Sequence, residues 1–465
     1  MIERLIRANA GRLQGLYDRM PRPVQCLLAS VRGLFLTRIR YAPEMYLLLE
    51  ELLQHEAWSA EQIAEMQAAA LRRIVARARQ TVPFYAAYPS LNGRPADELK
   101  QLPVVTREMV RSDPESFVSR DVSAADRIRV ATTGTTGASL KVWYSPQVAR
   151  RSWAFRMRQW AWAGLEPRRP RLTFFGSRVV PPDRNQGPYW ITNLLECQIL
   201  ASIFHLSDRT AADYLGFLRR HRNWVLEGFP SVLGILADFV LQSGEPIPMR
   251  VVFTDGEPLY PFLREKIEKA FVARVWDSYG MTEHCGLIQQ CEHSRMHLIP
   301  ECGYLEILDA ENRPVRPGEE GYLVWTGLVN DTMPLIRYRV GDRGCWLARS
   351  DCPCGRSFPL VVPTITRESD LLRCPDGRIF SPRALNQLLK DSYAFRFCQF
   401  LQEAPDRVMV RAVAGNGKAA EELADVRLRM QKLLGSGVQV TAQLAAEPIV
   451  RAGGKIPLIV KQTNG

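Results

Sequence analysis

Between residue 126 and about residue 345, short β-forming runs alternate with stretches of helical period. This alternation limits the chain more than any single motif does. Leu172-Thr173-Phe174-Phe175-Gly176, Ala201-Ser202-Ile203-Phe204, Val225 to Ser231 and Arg250 to Thr254 read as strands, the third ending in a turn. Ala211 to His221 and residues 232–243 read as helices. Strands alternating with helices predict α/β layering, and ligands of open α/β sheets collect at the carboxyl ends of the strands. Residues 44–80 read as helical, with Ser59 and Gln62 spaced as a capping box. Near the end, Phe395 to Phe400 and Arg407 to Val413 alternate like a hairpin, followed by a helix over 419–434 and a strand over 438–441. The prediction is a large multi-layer α/β domain followed by a small α+β domain.

Within the first β-forming region lies Thr132-Thr133-Gly134-Thr135-Thr136-Gly137, followed by Lys141. The flanks Ile128-Arg129-Val130 and Val142-Trp143-Tyr144 predict a loop between two strands. Glycines allow close backbone approach, successive N–H groups make an anion-binding nest, and the hydroxyls add uncharged donors. The stretch is not a Walker loop, which needs G-x-x-x-x-G-K-S/T opening a helix. Taken alone it reads equally as a phosphate cradle or a surface turn.

Other stretches follow in order. Asp255-Gly256-Glu257-Pro258-Leu259 closes a strand. Trp276-Asp277-Ser278-Tyr279-Gly280-Met281-Thr282-Glu283 comes next, then Pro334-Leu335-Ile336-Arg337-Tyr338-Arg339-Val340-Gly341-Asp342. Thr366-Arg367-Glu368-Ser369-Asp370-Leu371-Leu372 and Gly453-Gly454-Lys455-Ile456-Pro457 complete the series. In this order they resemble the signature stretches of the adenylate-forming (ANL) superfamily: acyl-CoA synthetases, luciferases and peptide-synthetase adenylation domains. Val82-Pro83-Phe84-Tyr85 and Leu102-Pro103-Val104-Val105-Thr106-Arg107 further resemble the opening of phenylacetate-CoA ligase-like (CapK-like) proteins, as a landmark rather than a chemical site. The chain departs from the family pattern at Ser139 for proline, Thr366 for glycine and Ser369 for the hinge aspartate, whose place Asp370 can take.

The resemblance implies an AMP-forming acid-thiol ligase using ATP, Mg²⁺ and coenzyme A on a carboxylic acid. It implies that Thr133, Gly134, Thr135, Thr136, Gly137 and Lys141 cradle phosphate. Gly256, Glu257, Asp277, Tyr279 and Gly280 form the adenine site, Asp342 takes the ribose diol, and Arg367 contacts ribose and phosphate. Thr282 meets the α-phosphate, Glu283 holds Mg²⁺ and Lys455 is the catalytic lysine. Domains follow: an N-terminal helical extension 1–125, an adenylation core 126–366, a hinge 367–372 and a mobile C-terminal lid 373–465. His205 is a candidate acid-pocket residue, and Phe174, Phe175, Trp190, Phe229 and Tyr279 are candidate pocket walls. Homodimers are common among relatives. Transfer to a carrier protein, amine or sugar is the alternative outcome, and a non-catalytic nucleotide-binding scaffold a second.

Six of the ten cysteines fall between Cys285 and Cys354, which reads as a metal or folded-together site in a reducing compartment rather than a disulfide framework. Cys291, His297, Cys352 and Cys354 make a set suited to structural Zn²⁺, with His293 as the alternative ligand. The absence of a long apolar run or a recognisable leader predicts a cytoplasmic protein. The net charge is +12, and residues 1–41 hold eight arginines against Glu3 and Asp18, leaving +6 for the rest. No basic block among aromatics suggests nucleic acid. The basic first segment, with Val24 to Leu28 and Leu34-Phe35-Leu36, has the composition of a membrane-surface contact but reads rather as a packed or solvated extension.

Overall fold

The computed structural model describes residues 16–131, 140–176, 179–181, 184–348, 351–363, 371–376, 379–380, 385, 387–389, 394–450 and 456–461. Helices α1 (Arg22–Arg40), α2 (Pro43–Gln54) and α3 (Ala60–Thr81) come first. The capping box at α3 is formed: Gln62 N donates to Ser59 Oγ, and Ser59 N donates to Gln62 Oε1 at 2.9 Å. Its row Ala70, Leu71, Ile74 and Val75 enters a core shared with β1 (Val105–Thr106). Strands β2 (Ile128–Ala131) and β3 (Lys141–Tyr144) pair antiparallel with Ala131 opposite Lys141. The threonine-glycine loop thus joins two paired strands as its flanks predict, while residues 132–139 themselves lie outside the described residues.

After α4 (Pro146–Trp162) come β4 (Arg171–Phe174), β5 (Trp190–Asn193), β6 (Gln198–Ala201) and α5 (Ala211–Arg220). Then follow β7 (Val225–Gly228), α6 (Pro230–Gln242), β8 (Val251–Asp255), α7 (Pro261–Phe271) and β9 (Val275–Gly280). β10 (Leu287–Gln290) and β11 (Met296–Leu298) complete an eight-stranded sheet of order β11-β10-β9-β8-β7-β4-β6-β5. Its centre, β9-β8-β7-β4-β6, is parallel, and both edges are antiparallel. Parallel strands must be covered on both faces. Here α5, α6 and α7 cover one face, while α2 and α4 cover the other, where Trp160 stacks on Phe253 at 5.6 Å. One strand is displaced from its predicted place. It ends at Ala201 instead of running to Phe204, because Ser202 Oγ accepts from Phe204 N and turns the chain.

β12 (Gly303–Leu308), β13 (Gly321–Gly327), β14 (Tyr338–Trp346) and β15 (Val361–Pro363) join β1 in a second sheet of order β1-β14-β13-β12, with β15 on β14. Past the short pair β16 (Leu372–Arg373) and β17 (Ile379–Phe380) come β18 (Phe395–Ala404), β19 (Arg407–Ala414), α8 (Ala419–Leu434), β20 (Gln439–Ala445) and β21 (Ile459–Lys461). Their four-stranded sheet, β20-β19-β18-β21, packs under Leu423, Val426, Met430 and Leu434 of α8 in a core of its own. This is the predicted class: a large layered α/β body and a small α+β unit. The small unit meets α6 and α7, where Gln242 Nε2 donates to Gly415 O at 2.9 Å and Lys266 Nζ to Phe395 O at 3.4 Å. Among the described residues no helix is long and apolar enough to cross a membrane.

A nearly buried ion pair ties α4 to the turn before β12. Arg158 donates to both Glu301 oxygens, at 2.7 and 3.2 Å, and His55 Nδ1 lies 3.1 Å from Oε1. Burial opposes ionisation, but Arg158 and His55 overcome it and hold the Glu301 carboxyl down to about 2. A depressed carboxyl stabilises the fold above its unfolded value of 4.5 and loses that contribution as pH falls toward 2. The difference is worth about 3 kcal/mol. Glu301→Gln should therefore unfold more easily than wild type at pH 7, with the gap closing between pH 4.5 and 2. Denaturant midpoints across that range check this.

Candidate functional site

The carboxyl ends of β7, β8 and β9 lie side by side, and the second sheet presents β14 to them. Tyr279, at the end of β9, donates its hydroxyl to Asp342 Oδ2 of β14 at 2.8 Å. Both are buried, and the Tyr279 ring stacks on Trp325 at 6.4 Å. Gly280 follows, where an added methyl would meet only Leu287 Cδ1 at 3.4 Å, and Thr282 is exposed.

Three residues past β9, Glu283 is buried, and its Oε1 accepts from Tyr338 OH at 3.2 Å and Arg107 Nη1 at 3.3 Å. Its backbone oxygen accepts from Asn330 Nδ2, which also donates to Trp143 O on β3. A buried carboxylate needs such donors, since an unpaired charge there is costly. In the sequence Leu102–Arg107 reads as a landmark only, whereas in the structure Arg107 reaches the carboxylate expected to hold the cation. The basic residue closing that turn was the available signal. His284, missed as well, adopts φ +55°, lies with Nδ1 2.8 Å from Ser152 Oγ, and burial pushes it down to about 4.

At the end of β8, Gly256 turns the chain at φ +77°, a conformation that favours glycine. Glu257 is thereby brought over the start of α6, where Oε2 accepts from Ser231 N at 3.1 Å. Its other oxygen accepts from Ile456 N, also at 3.1 Å. The residue next to Lys455 is thus bonded to Glu257, although Lys455 itself, like Arg367, lies outside the described residues. Lys141 is exposed at the start of β3.

Asp277 sits on β9, buried, its Oδ1 accepting from Thr254 Oγ1 at 2.6 Å. Gln159 of α4 sets the strand's position, donating to Asp277 O and accepting from Ser278 Oγ. A small open recess lies here, lined among others by Arg156, Gln159, Phe175, Phe253, Asp255 and Ser278. Arg156 is ion-paired with buried Glu227. Of the candidate pocket aromatics, Phe175 lines this recess, and Phe229 packs edge-on against Phe175 at 5.2 Å. Phe174 and Trp190 are core residues. His205 is not among the lining residues. Its Nδ1 lies 2.7 Å from Ser202 Oγ, and its ring stacks on Tyr189 at 5.0 Å.

The β10–β11 hairpin and the segment after β14 converge on a second cluster. One ligand atom from each of Cys291, His297, Cys352 and Cys354 lies within 4.8 Å of the others. His297 Nδ1 is 2.9 Å from Phe358 O, which leaves Nε2 toward the sulfurs, 3.4 Å from Cys354 Sγ. A Cys₃His set with an oriented imidazole suits tetrahedral zinc. His293 is not in the cluster; only its backbone N–H reaches Cys291 Sγ.

Comparison with known proteins adds a family match, two relatives and two states of one solved structure. Residues 197–330 match the family model described as AMP-binding enzyme. Protein CapK of Staphylococcus aureus is 21% identical over 341 residues, covering 71% of this chain and 72% of CapK. A phenylacetate-coenzyme A ligase of Thermus thermophilus is 24% identical over 332 residues, 68% of this chain and 73% of that one. Among solved structures, 2-hydroxyisobutyryl-CoA ligase in its postadenylation state superposes with a TM-score of 0.67 at 18% identity, covering 88% of this chain and 92% of that one. The same ligase in its thioesterification state gives 0.53. At such identity the likeness is one of fold.

Burial raises the Asp277 carboxyl to about 7 against the hydrogen bond from Thr254. The folded chain thus keeps a proton that the unfolded chain releases near 3.8, so stability falls as pH rises through that window and levels off above it. The difference amounts to about 4 kcal/mol. Asp277→Asn, which keeps an acceptor for Thr254, should gain stability over wild type as pH rises from 4 to 8. Urea midpoints at both pH values test this, and an equal gap at the two would contradict it.

Proposed function

We propose that this chain, a member of the adenylate-forming superfamily of the phenylacetate-CoA ligase-like kind, activates a carboxylic acid with ATP and passes the acyl group to coenzyme A. A carboxylate oxygen attacks the α-phosphorus of ATP, and pyrophosphate leaves. The thiolate sulfur of coenzyme A then attacks the acyl carbon, and AMP leaves with the bonding pair. The observation that carries this reading is the connected set at the strand ends: Tyr279 on Asp342, Glu283 between Arg107 and Tyr338, and Glu257 bonded to the residue after Lys455.

In this reading Asp342 accepts from the ribose hydroxyls, its two oxygens matching a vicinal diol. Tyr279 and the Gly256–Glu257 turn flank the base, and Thr282, exposed, donates to the α-phosphate. The loop at Thr133–Gly137 and Lys141 hold the phosphates. Glu283 is the ligand for Mg²⁺, which neutralises phosphate charge. Lys455 stabilises the charge that develops on the α-phosphate. The Ile456–Glu257 bond supports an arrangement suited to adenylation. The thioester step then requires the unit after the hinge, residues 367–372, to rotate and withdraw Lys455. The recess beside Ser278 receives the acid. The charged pair Arg156–Glu227 beside it favours a polar acid over a long acyl chain.

The Cys₃His cluster holds structural zinc and pins the β10–β11 hairpin, whose β10 pairs with β9 and so supports Tyr279. The thiol-rich composition fits a cytoplasmic setting.

Three outcomes are expected. A panel of small carboxylic acids should yield equimolar AMP and acyl-CoA for one acid class, and Lys455→Ala and Glu283→Gln should each lower the adenylation rate by about two orders of magnitude or more. Product with a pantetheinyl carrier, an amine or a sugar but not with coenzyme A would move the second step to that acceptor. Elemental analysis should find one zinc per chain. Cys352→Ser/Cys354→Ser should lose it and melt several degrees lower; a metal-free wild type with unchanged melting in the variant would contradict the zinc assignment.

A further inference from the structure

The first described helix is built inside out. On α1 the buried residues are Gln25, Ser30 and Gly33. Gln25 Nε2 donates to Tyr17 O at 2.9 Å, and Leu194 N donates to Ser30 Oγ at 3.1 Å. At Gly33 the approach is so close that a Cβ would lie 2.1 Å from Asn193 Oδ1. Thr37 Oγ1 donates to Glu196 Oε1 at 3.3 Å, and Arg40 pairs with the other oxygen at 2.7 Å. These bonds fix the rotation of the helix, so the opposite face cannot roll inward.

That opposite face carries Val24, Leu27, Leu28, Val31, Leu34 and Phe35, all exposed, Leu27 at 61% and Phe35 at 54%. Their spacing forms one stripe along a helix, of the width that normally faces a core. Arg19, Arg32 and Arg38 are exposed around it, and Asp18 is the sole acidic residue between 16 and 42.

We propose that this face of α1 rests on an anionic phospholipid surface, with the apolar stripe in the acyl boundary and the arginines at the phosphates. An amphipathic helix lying in the interface needs a large apolar face and basic residues beside it, and α1 supplies both. No helix of the described residues spans a bilayer, so the attachment is peripheral. A second copy of the chain fits this face poorly. Arg38 lies within the stripe and α1 carries no carboxylate, so a second copy packed on this face would bury the guanidinium without an acidic partner from the facing helix. On a bilayer its stem lies among the chains while its guanidinium reaches the headgroups. The basic segment is therefore packed on its inner side, as the sequence predicts for an extension, while its outer side has a partner of its own. The inference does not depend on the proposed activity.

The test is flotation of the full chain with vesicles of phosphatidylcholine alone or with roughly 30% phosphatidylglycerol. Wild type should float with the anionic vesicles, less with the neutral ones and less at high salt. Leu28→Glu/Phe35→Glu should reduce binding about tenfold or more, and Arg32→Gln/Arg38→Gln several-fold. Circular dichroism and melting should be unchanged in both, because the substituted side chains are exposed. Leu27→Gln, a milder change, should give an intermediate loss. Absence of wild-type flotation, or flotation unaffected by the stripe substitutions, would overturn the proposal. So would a sedimentation-velocity dimer that the Leu28→Glu/Phe35→Glu chain fails to form, since a second copy would then be the occupant.

Discussion

The carboxylate of Glu283 is the point on which the two sheets agree. It belongs to the loop after β9 of the first sheet, yet its donors are Tyr338 of the second sheet and Arg107 from beside β1. A buried charge with two donors is stable only while all three elements keep their places. The Tyr279–Asp342 bond crosses the same seam a few residues away. What would otherwise be two sheets packed by apolar contact is thereby held in one arrangement, and the groups left at the seam are those suited to a nucleotide and a cation.

The neighbouring residues follow from that constraint. Arg337, next to Tyr338, has φ +48° and makes two 2.9 Å bonds to Glu306 while also reaching Lys100 O. It anchors the segment leading to Arg107. Gln159 and Glu301, on the other side, lock α4 to β9 and to the turn before β12. The site is thus fixed on the large body, and among the described residues the C-terminal unit reaches it through the bond from Ile456 to Glu257.

Much of this was legible in the residues. Period and turn chemistry located β4, β7, β8, the β18–β19 hairpin and helices α3, α5, α6 and α8, since parallel strands need continuous apolar runs and α3 carries its own capping box, whereas α4, α7, β5 and β10 to β13 were not read as elements. Cysteine clustering, ligand type and the family resemblance together suggested that Cys291, His297, Cys352 and Cys354 belong together. Arg107 was not legible, because its partner lies 176 positions away and only the fold joins them. The strand expected over Ala201–Phe204 ended early because a single hydroxyl at Ser202 competes for the backbone. The inverted face of α1 was hidden for a related reason: apolar periodicity reveals a stripe but not which way it faces, and here Gly33, Ser30 and Thr37 decided it.

The most direct test is acid-dependent exchange of labelled pyrophosphate into ATP with no acceptor present. Adenylation at this seam predicts exchange with one class of small carboxylic acid, undiminished without coenzyme A and abolished by Glu283→Gln. ATP binding without exchange for any acid would contradict it.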